Sequence, residues 1–355
     1  MQRCFKRSTW VLSLTSLLLA TAAAAAPTSL SRLSTQHEFS SDDTTSIQQY
    51  VDLHGQALTL EDPSAFSSAR AKLIGPLKGP TAARVSPSFR EIYSEILIPK
   101  LRSNMSAGQG PSNTASMQIA GYLGTDAAAA FIAEHLDVQN GAEMSTRLWA
   151  TAALRDLIAN ANVSSATLEA ALQSLAIAAA TEPSWAVQRQ AFVTFGSAIR
   201  NTRKVEEGRD LLSSSAQRLQ GRLLTEVIAR IKSGEPTLIL AVEPATGGIR
   251  DQYLDRTMFD RQKGLAVITV PALANLHGSV LEQWDNLRMD PRLAQSTELA
   301  LHKAEVLMAL MDSRLTNDQV METTAYEGVL TNNQRSTLES AQQVWSDIVA
   351  KPRYQ

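Results

Sequence analysis

Apolar positions recur along this chain at three- and four-residue intervals, the spacing that lines one face of an α-helix. Phe89, Ile92, Tyr93, Ile96 and Leu97 form one such run. Leu212, Ala216, Leu219, Leu223, Val227 and Ile231 form a longer one, which predicts an extended amphipathic helix. The rhythm returns at Leu338, Ala341, Val344 and Ile348. Breaking residues fall between the runs, at 108–111 (Gly-Gln-Gly-Pro), 234–236 (Gly-Glu-Pro) and 244–248 (Pro-Ala-Thr-Gly-Gly), and are expected as connections. Asp290-Pro291 supplies a cap followed by a first-turn proline. Thr316 with Gln319, and Thr331 with Gln334, fit the capping box and predict two helix starts. Only two short runs, Thr237 to Val242 and Ala266 to Val270, fit strand as well as helix. Aromatics make up 5% of the residues and alanine is abundant, which favours closely packed helices over sheets. The predicted fold class is all-α.

Two regions depart from simple amphipathic periodicity. Residues 26–62 are rich in Ser, Thr, Asp and Gln and are expected as a flexible polar lead-in, with one short helix around Ile47, Tyr50, Val51 and Leu53. Residues 113–200 are the opposite. In Met144 to Ala159, the residues Leu148, Trp149, Ala152, Ala153, Leu157 and Ile158 cover more than half the helix circumference, so this helix must pack against several neighbours.

Three segments of that region align. Val187, Ala191, Phe195 and Gly196 follow the acidic-proline pair Glu182-Pro183. Thr146, Arg147, Ala150, Ala153 and Leu154 carry small and apolar residues at matching intervals, and Ala115, Ile119, Leu123 and Gly124 form a looser third copy. The pattern resembles the HEAT-repeat helix, in which an Asp-Pro turn precedes Val-Arg-x-x-Ala-x-x-Ala-Leu-Gly. Arg189 stands one position late, and Ile119, Ala150 and Ala191 are unevenly spaced where a strict solenoid repeats evenly. The resemblance implies an irregular HEAT-like α-solenoid of stacked helical hairpins, with a compact helical bundle as the alternative. The expected division is a signal peptide over 1–25, the lead-in over 26–62, a helical-repeat region over 63–235, and a C-terminal helical region over 236–355 packed on it.

Charge and cysteine usage sharpen this. Arg3, Lys6 and Arg7 precede an uncharged apolar run from Trp10 to Ala20 and a small-residue exit ending at Ala23, Ala25 and Pro27, the arrangement of a secretory signal peptide. Cleavage near Ala25 would leave 30 basic and 35 acidic residues, a net charge of −5, with no basic footprint for nucleic acid. It would also remove Cys4, the single cysteine, and with it any disulfide or thiolate chemistry. Leu265 to Leu281 is apolar but interrupted by Pro271, Asn275 and His277, and is expected as a buried helix rather than a membrane span.

Motifs for nucleophilic, phosphate-binding or zinc chemistry do not occur. Glu298, His302 and Glu305 would project from one helix face and offer a carboxylate–imidazole set, yet no second copy completes a di-metal bundle, so a solvated face is expected. His277 and Ser279 are two residues apart, which a helix does not bring face to face; a helix end near Gly278 is expected. Residues 244–248 with Arg250 lack the strand that a phosphate loop needs. Asn104-Met-Ser106 and Asn162-Val-Ser164 fit the glycosylation acceptor pattern. Trp149, Trp185, Trp284 and Trp345 are expected in the core. The sequence thus assigns no catalytic, cofactor or metal residue. The expectation is an exported, non-enzymatic scaffold for a protein or peptide partner; the alternative is an exported helical hydrolase or lyase acting on an envelope or extracellular polymer.

Overall fold

A computed structural model describes residues 27, 29–60, 62–78, 84–107, 110–159, 163–200, 209–255 and 261–354. The expected signal peptide, Cys4 and Asn162 lie outside these. Among the described residues the protein is all-helical, without a strand. The helices are α1 (Ser41–Ala57), α2 (Pro63–Ile74), α3 (Pro87–Ala107), α4 (Gly110–Leu123), α5 (Asp126–Ala133), α6 (Met144–Ile158) and α7 (Ser165–Thr181). They continue as α8 (Trp185–Ile199), α9 (Arg209–Lys232), α10 (Ile239–Leu254), α11 (Gln262–Glu282), α12 (Trp284–Met289), α13 (Pro291–Thr316) and α14 (Arg335–Val349).

Local chemistry sets many of the starts. The Asp62 carboxylate and the Thr125 and Ser164 hydroxyls accept from the first free N–H groups of α2, α5 and α7. Asp290 does the same for α13, with Pro291 in its first turn, as the sequence predicts. Ser40 and Asp43 form a reciprocal capping box on α1. So 17 residues of the expected lead-in form a full helix, anchored by buried Ile47, Tyr50 and Val51, while Leu53 faces solvent.

Most of the packing skips one helix, and it skips two at α10–α13 and α11–α14. From α4 onward, α4 packs on α6, α6 on α8, α8 on α10, and α10 on α13. A second series runs α1, α3, α5, α7, α9, α11 and α14. The three aligned segments fall on α4, α6 and α8, consecutive members of the first series, and Ile119, Ala150 and Ala191 are each fully buried. Small residues set the spacing. A methyl group on Gly121 would stand 3.0 Å from the Cα of Ala153 and 3.1 Å from its carbonyl oxygen, so α4 and α6 meet backbone to backbone.

A buried ion pair ties α6 to the connection between α7 and α8. Arg147 on α6 donates from Nε and Nη2 to Glu182 at 2.6 and 2.9 Å, with side-chain exposures of 7% and 1%. The Glu182 carboxylate raises the Arg147 pKa by accepting these bonds. Arg230 on α9 donates to the carbonyls of Ala180 and Glu182, both at 2.9 Å. The Glu182-Pro183 turn is therefore held from two helices, whereas Arg189 is exposed.

Several expected boundaries are corrected. Residues 244–248 are interior to α10, because Val242, Ala245, Ile249 and Tyr253 bury a continuous stripe around them. Tertiary contact there outweighs a proline and two glycines, which disfavour an isolated helix by about 3 and about 1 kcal/mol per residue. Of the two runs that fit strand as well as helix, 237–242 passes from a short 3-10 turn into α10 and 266–270 lies in α11, so both are helical. Neither Thr-x-x-Gln pair starts a helix. Thr316 ends α13 and donates to Asp312 O, while Gln334 precedes α14 without a side-chain cap. Helix α11 is long and apolar enough to span a membrane by length and composition, yet 61% of its most apolar stretch is buried, as expected of a core helix.

Candidate functional site

The residues singled out for chemistry are used to hold the chain together. Glu298 and Glu305 lie seven residues apart on α13 and grip the irregular segment between α13 and α14. Glu298 accepts from the backbone N–H groups of Gly328, Leu330 and Thr331 at 3.1, 2.8 and 3.3 Å. Glu305 accepts from Thr324 N and Oγ1 at 3.0 and 3.1 Å, and from Trp345 Nε1 at 3.1 Å. His302 points to solvent. The expected solvated face is thus corrected: Glu305 is 3% exposed, because its lone pairs are filled by N–H and O–H donors. Among the described residues no group of three His, Cys, Asp or Glu is placed to hold a metal ion.

His277 is also corrected. It lies inside α11, fully buried, rather than at a helix end. Its Nε2 is 2.9 Å from the Tyr326 hydroxyl, and Nδ1 is 3.3 Å from the carbonyl of Ala274. The tautomer that satisfies both contacts carries its proton on Nδ1. Burial lowers the His277 pKa, opposed by the Ala274 bond and the Glu305 charge. Burial also raises Tyr326 well above the ordinary phenol, reinforced by Glu305. Ser279 donates to Asn275 O at 3.0 Å and does not pair with His277. The result is a buried Tyr326–His277 hydrogen bond beside the Glu305 carboxylate, which brings together two groups separate in the sequence. His277, Tyr326, Glu305 and Trp345 are all buried.

The other candidates resolve simply. Asn104 is buried and donates to Gly55 O at 2.9 Å, so its amide is engaged inside the fold. Trp345 and Trp284 are core residues, and Trp185 is half-buried with the Arg292 guanidinium 5.5 Å from its ring centroid. Trp149 is corrected: it is 38% exposed.

Trp149 lines a groove of about 420 Å³ formed by α2, α4 and α6. Ala153, Ile74, Tyr122 and Trp149 make its apolar part. Arg70, Lys78, Gln118 and Asp156 add its polar groups. Each is held. Arg70 Nη1 donates to Gln118 Oε1 at 2.8 Å, and Lys78 Nζ sits 5.4 Å from the Tyr122 centroid. Asp156 Oδ1 accepts from Arg155 Nε and Nη2 at 2.9 and 2.6 Å. Sequence reasoning missed this site because α6 is buried on most sides. The available signal was its narrow outward stripe, Ser145, Trp149 and Asp156, with an aromatic at the centre. The floor is set by the Gly121–Ala153 approach, which brings α4 and α6 together beneath the rings. Comparison of the sequence with protein-family models and with curated proteins gives no match to either.

Proposed function

We propose that the protein is an exported, non-enzymatic α-solenoid scaffold that binds a protein or peptide partner on the α2–α4–α6 face. Export rests on the charged head, apolar run and alanine exit of residues 1–27. The solenoid reading rests on helices that pack mostly on their second neighbours in two series, with the three HEAT-like segments in consecutive places of one series. The buried Arg147–Glu182 pair, which joins one helix to the next acidic-proline turn, supports it.

The observation that carries the binding reading is Trp149. A large aromatic left 38% exposed over an apolar floor, ringed by ordered polar side chains, is the composition of an interface anchor. His277 and Glu305, candidate chemistry of the sequence, are buried in the core with Tyr326, which favours a scaffold over a hydrolase or lyase.

The test is crosslinking on the affinity-tagged full chain recovered from its own cells. A polypeptide should crosslink to α2, α4 or α6 in near-stoichiometric amount, and Trp149→Glu should reduce its recovery at least tenfold without changing helix content. Crosslinks confined to other faces, or recovery indifferent to Trp149→Glu, would overturn the assignment of this groove.

A further inference from the structure

The groove is cationic in a chain of net charge −2. Arg70 is held by a neutral amide and Lys78 by a neutral ring. Among the described residues neither is within 4 Å of a carboxylate. The one carboxylate that lines the groove, Asp156, is already taken by Arg155 at two nitrogens. Two cations therefore stand free of anionic partners around an aromatic floor. The Arg70 contact with Gln118 uses one nitrogen and leaves further N–H donors of its fork open to a carboxylate. Both cations are oriented before any partner arrives, which lowers the ordering cost of binding.

Resting on the scaffold reading above, we propose that the groove binds an extended acidic peptide segment, one aromatic or large aliphatic side chain against Trp149 and flanking carboxylates on Arg70 and Lys78. Charge complementarity selects this occupant. A basic segment would meet two uncompensated like charges, and an uncharged apolar one would leave both cations without partners. The central ring supplies most of the affinity, and the flanking pairs supply selection and salt sensitivity.

Three labelled eight-residue peptides test this by fluorescence anisotropy on the full chain: an acidic one with a central Phe, the same with a central Ala, and a Lys/Arg-rich one with a central Phe. The acidic Phe peptide should bind at least about tenfold more tightly than either of the others. Trp149→Ala should weaken it about thirtyfold, the scale of a central aromatic anchor. Arg70→Glu with Lys78→Glu should reverse the preference toward the basic peptide. These residues are surface-lining, and unchanged circular dichroism of each variant excludes unfolding as the cause. Equal or tighter binding of the basic peptide by the unaltered protein would overturn the charge assignment while leaving a peptide-binding groove. Binding of none of the three would overturn the acidic-peptide proposal. Together with crosslinks that ignore Trp149→Glu, it would remove this groove from the scaffold reading as well.

Discussion

At the scale of single residues, the deepest commitment in the fold is the Arg147–Glu182 pair. Both groups have left water, and the pairing is satisfied by two N–H···O bonds and a third from Arg147 to Ala142 O. Removing one partner strands the other. Glu182→Ala should therefore destabilise by about 3–5 kcal/mol, whereas Arg147→Met with Glu182→Leu should recover most of that loss, because an apolar pair carries no buried charge. Urea denaturation of the single and double variants checks this, and single changes costing under about 1 kcal/mol would mean that water reaches the pair. The pairing was only half legible in the sequence. Glu182-Pro183 stands out as a turn, but nothing in the chain says that Arg147, 35 positions earlier, is its partner. Trp149 was misjudged for a related reason. Its helix is apolar on most of its circumference, and only the fold shows which narrow strip stays open.

At the scale of elements, helices with strong three-and-four periodicity were readable, and α3, α9 and α14 form where the apolar stripes predict. The misses share one cause. Residues 244–248 carry breaker chemistry, yet they lie in a helix that buries a stripe against α8 and α13, so long-range packing decides. Conversely, the Thr-x-x-Gln signals near 316 and 331 are local promises that the chain does not keep: Thr316 closes α13, bonded back to Asp312 O, and the Thr331 N–H is taken by Glu298. The segment after α13 is also pinned by buried Tyr326 against His277, which gives it a pH dependence. Burial depresses His277 from its ordinary 6.5. Well above 6.5 neither the folded nor the unfolded chain holds that proton. As pH falls below 6.5 the unfolded chain takes it first, so stability contributed by neutral His277 is lost toward the depressed folded value. The protein should melt lower at pH 5.0 than at pH 7.5, and His277→Gln should shrink that difference while lowering stability at pH 7.5. His54, also depressed by burial, contributes to both proteins equally and cancels in the comparison. An acid shift of the same size in the variant would show that His277 is charged in the fold.

At the scale of the whole molecule, the question is whether second-neighbour packing makes the protein a one-dimensional stack or a single cooperative unit. In a stack, damage stays near its source, because each helix pair leans chiefly on the next. In a bundle, the same damage lowers protection everywhere. Ala191 separates the two. It is fully buried on α8, which packs on α6, α9 and α10. Ala191→Arg forces a long charged side chain into a site sized for a methyl group. Overpacking of this kind costs about 1–3 kcal/mol, and the unpaired charge adds to it. The solenoid reading expects amide exchange to rise first through residues 140–235, while α11, α13 and α14 keep their protection. The cross-links between the two series, α8 on α9 and α11 on α13, limit how local the effect can be. With the direct contact of α8 on α10, they set the boundary of the prediction at α9 and α10, beyond which the Glu298 and Glu305 grip on the last segment is untouched by the change. Hydrogen exchange on the variant, read by mass spectrometry, decides the matter. A uniform rise from α1 to α14 would establish one compact bundle, and the α2–α4–α6 groove would then be a surface cleft of that bundle rather than one stretch of a longer binding face.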